Sequence, residues 1–279
     1  GNAELGMLSL LATGSAAAVE RARMRASLER ERRVRERLGR YHAPGVVERI
    51  VRAAEQGAGA MQSEERVVSV LFADIAGFTR YAEKLPPREV TAVLNHILGR
   101  LTAVVFEHGG TLDKFIGDAV MAFFGAPLDQ PDHALRAVRT ALGMQQAMAE
   151  FNAERAPEAR LGLHVGVNTG PVVVGEIGAE QRLDYTVIGD AVNVASRLQS
   201  TIAAPGQVVI GEATHAAVGD TFDCEPLPPA PLKGRSAPFQ AYRVRGVRAM
   251  PDAAATADAA DTAGPMTLPR LGPRPQGAG

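Results

Sequence analysis

The sequence has a single cysteine, almost no net charge and no long apolar run, and each shortage argues against a class of protein. The single cysteine, Cys224, rules out an internal disulfide and fits a reducing compartment such as the cytoplasm. A formal net charge of −1 argues against binding to nucleic acid through bulk positive charge. No apolar run reaches the roughly 18 residues of a membrane-spanning helix, and no signal-peptide pattern is present. We therefore expect a cytoplasmic catalytic or binding domain, within a full-length protein that is either soluble or membrane-attached.

The chain divides into regions of different composition, one of which is long enough for a sizeable domain. Residues 1–41 show a partial apolar seam among Arg and Glu, which favours a signalling helix, either paired in a short coiled coil or solvated alone. Residues 42–64 predict a second helix, opened by Pro44, and a loose linker. Residues 65–247 alternate strand and helix patterns. Residues 248–279, rich in Ala, Pro, Gly, Asp and Thr, predict a disordered tail.

Apolar periodicity predicts the order of elements in the region 65–247. The predicted elements are strand Arg66–Ala73, helix Pro87–His108, a hairpin of Thr111–Ile116 and Ala119–Phe124, helix Asp132–Ala153, strands Leu161–Asn168 and Val172–Ile177, strand Leu183–Ile188, a helix from Ala191, and short strands near Gln207, Phe222 and Gln240. This order indicates an α+β fold with a ferredoxin-like β-α-β-β-α-β core.

Two aspartates lie where a strand pattern meets a glycine turn: Asp74 precedes the turn at Gly77, and Asp118 directly follows Gly117. Asp74 ends the apolar run Val67–Ala73, and Asp118 stands at the turn of the predicted hairpin. A carboxylate at the end of a buried strand is costly unless a positive group lies beside it. Sheet pairing would bring the two together, and Mg²⁺ favours one or two carboxylates plus substrate phosphates. The alternative for either residue alone is that it caps the following turn or helix.

A third stretch, Tyr185–Arg197, reads as a strand, a break at Gly189 and a helix. Asn193 and Arg197 are four residues apart, so they lie on one face of that helix, one turn from each other. An amide and a guanidinium displayed together suit a sugar oxygen and a phosphate. Taken without the other motifs, the pair is better explained by a solvated helix face.

Four motifs together resemble the class III nucleotidyl cyclase catalytic domain in their order and spacing. They are Asp74-Ile75-Ala76-Gly77-Phe78-Thr79, Lys114-Phe115-Ile116-Gly117-Asp118, the stretch from Tyr185 to Arg197, and Leu232-Lys233-Gly234. The resemblance covers about Glu65 to Val247, and four motifs in one order are far more specific than a single glycine pattern. It also implies a transducer segment, and an upstream sensor domain in the full-length protein.

The resemblance implies a metal site and a base-reading site. Asp74 and Asp118 correspond to the metal-binding carboxylates, with the Ile75 carbonyl as a further ligand, and the site takes two Mg²⁺ or Mn²⁺ ions. Lys114 and Thr186 occupy the positions that read the purine. Lysine with a hydroxyl or carboxylate residue resembles adenine-selective cyclases, because a cation donates to N1 of adenine, whereas N1 of guanine is itself a donor.

The resemblance also implies residues that hold the ribose and the phosphates. Asn193 corresponds to the ribose-positioning asparagine, and Arg197 to the arginine that stabilises the transition state. Lys233 and Arg182 correspond to phosphate-binding residues. The turn that includes Phe78 and Thr79 would present free amides to the β- and γ-phosphates.

The function implied by these residues is that of an adenylate cyclase that converts ATP into 3′,5′-cyclic AMP and pyrophosphate. The family builds each site from two protomers, and this chain has both half-sites, so we expect a homodimer with two shared sites. The alternatives are a guanylate cyclase, which Lys114 and Thr186 disfavour, and a diguanylate cyclase, whose Gly-Gly-Asp/Glu-Glu-Phe hairpin is missing. A non-catalytic dimeric signalling module is the alternative outside the enzymes.

Overall fold

The computed structural model describes residues 63–179, 182–232 and 237–248. It also describes five isolated positions nearer the N-terminus, and it describes Arg182 by its backbone only. The predicted helices within 1–64 and the predicted tail after 247 therefore lie almost entirely outside the described residues.

Strands and helices alternate along the described part of the chain. The strands are β1 (Glu64–Ala76), β2 (Thr111–Ile116), β3 (Ala119–Phe124), β4 (Gly162–Ala179), β5 (Arg182–Ile188), β6 (Val208–Gly211), β7 (Phe222–Pro226) and β8 (Ala241–Val247). The α-helices are α1 (Phe78–Ala82), α2 (Pro87–Glu107), α3 (His133–Ala153), α4 (Asp190–Arg197) and α5 (Glu212–Val218). A π-helical turn, Leu198–Ile202, continues α4.

The strands form one sheet in the order β2-β3-β1-β4-β6-β8-β7, and β5 pairs with β4 outside that path. Only β4 and β6 run parallel among the described strand pairs. The first part of the chain, β1-α2-β2-β3-α3-β4, gives the sheet order β2-β3-β1-β4, which is the ferredoxin-like arrangement. The predicted α+β fold class is confirmed.

The central strand β1 separates two apolar layers because its side chains alternate between the sheet faces. Leu71, Ala73 and Ile75 point to a first face, where they pack in one core with α2 and α3. Val70 and Phe72 point to the second face, where α4 and β5 cover them. Asp74 follows in the same alternation on the second face, so this face carries the candidate site.

The strand β5 pairs only with the end of β4 but packs across the second face of the sheet. Tyr185 and Val187 of β5 belong to the same buried cluster as Met121 and Phe123 of β3. The rings of Tyr185 and Phe123 have centroids 6.2 Å apart. This packing brings a strand that is late in the sequence close to the β2–β3 hairpin.

The two strands predicted at Leu161–Asn168 and Val172–Ile177 are a single strand, and that prediction was wrong. The 18-residue strand β4 runs through Gly170 and Pro171 without a break. Pro171 is opposite Val67 of β1, beyond the stretch paired with β6 and before the stretch paired with β5. No described strand pairs on its second side there, so proline removes no hydrogen bond from that side.

The helix α2 is the one described helix whose length and mean hydropathy would allow it to cross a membrane. Its buried side chains, Ile97, Leu98, Leu101 and Val105, belong to the core on the first face of the sheet.

A first prediction concerns Gly166 of β4, on which α4 and the π-helical turn rest. A Cβ at this position would lie 2.4 Å from the backbone nitrogen of Gln199 and 2.5 Å from the carbonyl oxygen of Ala195. We expect Gly166→Ala to lower the free energy of unfolding by about 1–3 kcal/mol or more, because backbone must move. Thermal unfolding measures this as a fall in Tm of at least about 2–4 °C per kcal/mol.

The matched control is Gly99→Ala in α2, where an added Cβ meets no heavy atom within 4 Å. This change should stabilise by about 0.5–1 kcal/mol because alanine favours a helix. Equal Tm values for the two variants would show that the close packing of α4 on β4 is not rigid.

Candidate active site

Asp74 and Asp118 come together where the β2–β3 hairpin meets β1. Asp74 pairs with Ala119, the residue that directly follows Asp118. Gly117 precedes Asp118 in a left-handed conformation with φ of 65°, which glycine adopts without steric cost. The predicted meeting of the two carboxylates is therefore present in the fold. The prediction that the strand ends at Ala73 was wrong by three residues, because β1 continues to pair with β4 through Asp74, Ile75 and Ala76.

The environment of Asp74 disfavours its ionised form. Burial raises the pKa of its carboxyl, and the neighbouring Asp118 carboxylate raises the pKa further. His164, which lies directly opposite Asp74 on β4, acts in the other direction. Two carboxylates that repel each other in a half-buried position are stabilised by a cation between or beside them.

The donor set fits a hard divalent cation that shares its coordination with a substrate. Among the described residues, no group of three or more His, Cys, Asp or Glu is placed to hold a metal by itself. Two carboxylates with oxygens left to a ligand match the preference of Mg²⁺, which keeps several positions for water and phosphate. A cleft of about 320 Å³ adjoins Asp74 and is also lined by Ile116, Ala119, His164 and Ser196.

Lys114 and Thr186 are brought together through a residue that the sequence did not single out, Asp113. The hydroxyl of Thr186 donates a hydrogen bond to Oδ2 of Asp113 at 2.5 Å. Nζ of Lys114 lies 3.2 Å from Oδ1 of the same carboxylate. Residues 73 positions apart in the sequence thus share one small polar cluster.

A β-bulge explains why Asp113 was missed. Strict alternation along β2 would direct Asp113 and Lys114 to opposite faces of the sheet. The register of β2 against β3 instead shifts between Leu112 and Lys114, which leaves Asp113 as an extra residue. Such a bulge re-aims side chains, and both residues reach the same cluster. The only sequence signal was the adjacency of an acid and a base, which is common on exposed strands.

Asn193 and Arg197 lie on α4, as predicted. Ala191, Val194 and Ala195 are the buried residues of this helix. Asn193 is exposed and Arg197 is partly buried, one helical turn from Asn193. Ser196, beside Arg197, lines the cleft at Asp74. Ser196 is the residue of α4 that lines this cleft, and neither Asn193 nor Arg197 is among its lining residues.

A family model described as "Adenylate and Guanylate cyclase catalytic domain" matches residues 60–246. The chain belongs to this family. The match covers the described sheet from β1 to β8, including the pair Asp74 and Asp118, the hairpin, and the helix α4. This membership removes the diguanylate cyclase alternative, and it confirms the resemblance on which the residue roles depend.

Curated relatives of this cyclase domain include adenylate cyclases from two bacteria. The chain is 40% identical to adenylate cyclase 1 of Rhizobium meliloti over 185 residues, which are 64% of this chain and 28% of that protein. It is 42% identical to an adenylate cyclase of Anabaena cylindrica over 140 residues, which are 48% of this chain and 27% of that protein. The chain thus spans a little over a quarter of the length of these relatives.

Solved cyclase structures share the fold, and they include enzymes of both named specificities. The adenylyl cyclase CyaB from P. aeruginosa is 35% identical, with a TM-score of 0.62 over 67% of this chain and 97% of that chain. The guanylyl cyclase Cya2 is 39% identical, with a TM-score of 0.63 over 67% of this chain and 96% of that chain. Family membership therefore supports a nucleotide cyclase, and overall similarity does not distinguish ATP from GTP as the substrate.

Other residues that the cyclase resemblance named are placed in different ways. The side chain of Ile75 is buried in the core, so the predicted ligand can only be its backbone carbonyl. The side chain of Phe78 packs in the core, which leaves its backbone amide, whereas Thr79 is exposed at the start of α1. Arg182 begins β5, and nothing is described of its side chain, while Lys233 lies outside the described residues.

Proposed function

We propose that this chain carries an adenylate cyclase domain, which converts ATP into 3′,5′-cyclic AMP and pyrophosphate. The observation that carries the proposal is the cluster of Lys114, Asp113 and Thr186, because it unites the two residues expected to read the purine. An ammonium group donates to N1 of adenine, whereas N1 of guanine is a donor and would oppose it. The curated relatives named as adenylate cyclases support the same choice.

The carboxylates would hold the metal ions of the reaction. Asp74 and Asp118, with the Ile75 carbonyl, are the proposed ligands of two divalent cations, Mg²⁺ or Mn²⁺. When bound, such cations lower the pKa of an attacking hydroxyl and neutralise charge on the leaving phosphates. Burial, and after it repulsion from Asp118, raises the pKa of the Asp74 carboxyl, and this is the physical reason why a cation would be favoured here.

The chain's other residues would orient the substrate and stabilise the transferring group. In the proposed reaction the ribose 3′-oxygen forms a bond to the α-phosphorus, and the bond from that phosphorus to the β-phosphate oxygen breaks. Asn193 would hold the ribose in line, and Arg197 would donate to the α-phosphoryl oxygens as charge develops. Arg182, Lys233 and the amides at Phe78 and Thr79 would bind the phosphate chain. Removing one preorganised donor of this kind typically costs about 10²–10³ in rate.

A homodimer with two shared sites is the proposed assembly. Large apolar side chains flank the purine-reading residues and are exposed in the single chain: Phe115 by 47%, Ile116 by 51% and Ile188 by 55%. Apolar side chains grouped around a polar site suit an interface more than contact with water. A second copy would cover them and complete each site, with carboxylates from one protomer and Lys114, Thr186, Asn193 and Arg197 from the other.

One assay tests the proposed function against its alternatives. Purified protein is incubated with ATP or GTP and with Mg²⁺ or Mn²⁺, and the product is identified by chromatography and mass. We expect cyclic AMP from ATP at a kcat/KM well above that for cyclic GMP from GTP. Preferential cyclic GMP formation would make the domain a guanylate cyclase, as Cya2 is named. No product with either nucleotide would favour a non-catalytic dimeric signalling module.

A second prediction follows for the base-reading pair. Changing Lys114 to Glu and Thr186 to Cys together should lower kcat/KM for ATP and raise it for GTP, because the matched hydrogen bonds to adenine are lost. Sites built on such bonds discriminate by up to about 10⁴. The control is Arg139→Glu, an equal charge reversal on α3 at the opposite face of the sheet. If the double variant uses ATP as well as the parent does, these residues do not read the base.

A further inference from the structure

Asp113 is a buried acid whose two carboxylate oxygens contact the two residues proposed to read the base. Its side chain is 1% exposed, whereas that of Lys114 is 41% exposed. Oδ2 accepts a hydrogen bond from the Thr186 hydroxyl. Oδ1 lies 3.2 Å from Nζ of Lys114 and forms an ion pair with it.

The fold places a destabilising group here. Burial raises the pKa of the Asp113 carboxyl, and the hydrogen bond from Thr186 and the charge and hydrogen bond of Lys114 offset this only in part. A buried carboxylate on an edge strand contributes nothing to apolar packing, and it requires a β-bulge to reach its partners. A costly group that needs a local distortion is typical of a functional position.

The bond to Asp113 determines what Thr186 can offer a ligand. A threonine hydroxyl has one hydrogen to donate and two lone pairs with which it accepts. Because Oδ2 of Asp113 holds that hydrogen, the hydroxyl is left as an acceptor toward any base in the site. The 6-position of adenine carries an amino donor, while that of guanine carries a carbonyl acceptor. A hydroxyl limited to accepting therefore pairs with adenine and opposes guanine.

We propose that Asp113 is a specificity-determining positioning residue, which selects adenine by holding the Thr186 hydroxyl as an acceptor and Lys114 as a donor beside it. This inference rests on the proposed adenylate cyclase function, and it adds a residue that contacts neither the base nor the phosphates. An ammonium group has three hydrogens, so Lys114 keeps hydrogens for N1 of adenine while it contacts Oδ1 of Asp113.

The test is Asp113→Asn, measured by kcat/KM for ATP and for GTP. The asparagine amide keeps the shape of aspartate, but its NH₂ group can donate to Thr186, which frees the hydroxyl to donate to guanine. We expect the ratio of ATP to GTP turnover to fall about tenfold or more, mostly through gain with GTP. The control, Asp223→Asn, removes an exposed carboxylate from β7 at the far edge of the sheet and should leave the ratio unchanged.

A double-mutant cycle separates this role from a merely structural one. Thr186→Val removes the hydroxyl and keeps the side-chain shape, so Asp113→Asn should change the ratio much less in that background. An equal effect of Asp113→Asn in the parent and in the Thr186→Val background would overturn the proposal, because the change would not act through the hydroxyl. If Asp113→Asn fails to fold, Thr186→Val alone tests the same bond and should lose most of its preference for ATP; a retained preference would also overturn it.

A binding measurement keeps this inference distinguishable from the proposed function. Dissociation constants for 3′-deoxy-ATP and 3′-deoxy-GTP are measured with Mn²⁺, since neither analogue can cyclise. A preference for 3′-deoxy-ATP that falls in Asp113→Asn supports the inference even if the wild type forms no cyclic AMP, a result that would refute the proposed function alone. Formation of cyclic AMP with an unchanged preference in Asp113→Asn would refute the inference alone.

Discussion

Replacing Asp74 or Asp118 with alanine is expected to abolish cyclic nucleotide formation while the protein remains folded. Each change removes one of the two carboxylates. The rate should fall by more than the roughly 10–100-fold typical of residues that only support a metal ligand, and the expected loss is about 10³-fold or more. The measurement is the initial rate of product formation at saturating Mg²⁺ and at saturating Mn²⁺. Asp223→Ala, which removes an exposed carboxylate on β7, should keep the parental rate.

Thermal stability is a second measurement for this prediction, because removing a carboxylate should lower the activity without lowering Tm. Burial and the charge of Asp118 raise the pKa of Asp74 above its ordinary value of 3.8, so the ionised form destabilises the metal-free fold. That destabilisation is present at neutral pH and disappears as the pH falls below the ordinary value. Asp118→Ala should therefore leave Tm unchanged or raise it at neutral pH with a chelator present. An inactive variant with a lowered Tm would point to unfolding, and near-normal activity would end the two-metal proposal.

Mixing two inactive variants is expected to restore activity if each site is shared between protomers. Asp74→Ala lacks a metal ligand, and Arg197→Ala lacks the group that stabilises the transition state, so each homodimer should be nearly inactive. In a mixed dimer one site carries both lesions and the other carries neither. With free exchange about half of the dimers are mixed, and activity should return to roughly a quarter of the wild type under two-fold symmetry.

Co-expression with two different affinity tags is the suitable format, because it proves that mixed dimers have formed before the rate is measured. The control is co-expression of Asp74→Ala with Asp118→Ala, whose lesions fall in the same half-site, so that no intact site can form. Recovery with the first pair and none with the second would establish the shared site. Absence of recovery in demonstrated mixed dimers would mean that each site lies within one protomer.

Elements with strong local signals were predicted from the sequence almost to the residue. The hairpin strands Thr111–Ile116 and Ala119–Phe124 are as predicted, because a glycine turn separates two apolar runs. The helices α2 and α3 differ from their predictions by one residue at one end, because their apolar stripes are long and regular. The meeting of Asp74 with Asp118 followed from the hairpin alone.

Features that depend on contacts between distant strands could not be predicted in this way. The continuity of β4 through Pro171 depends on which neighbours pair on each side, and the position of β5 depends on packing against Met121 and Phe123. The bulge at Asp113 has no local signature, so strict alternation along the strand would not place that residue beside Lys114. Candidate residues within local motifs, such as Lys114 and Thr186, could thus be named from the sequence. Asp113 could not, because its link to Thr186 joins positions 73 residues apart.

Because side chains alternate along β1, its odd-numbered and even-numbered residues lie on opposite faces of the sheet. Odd positions such as Leu71 and Ala73 pack against α2 and α3, whereas even positions such as Phe72 and Asp74 face α4 and the cleft. A saturation scan of this one strand should thus separate into two interleaved series, with odd positions governing melting temperature and even positions toward its end governing turnover. An engineer could raise thermal tolerance from the odd series and leave the chemistry of the opposite face untouched.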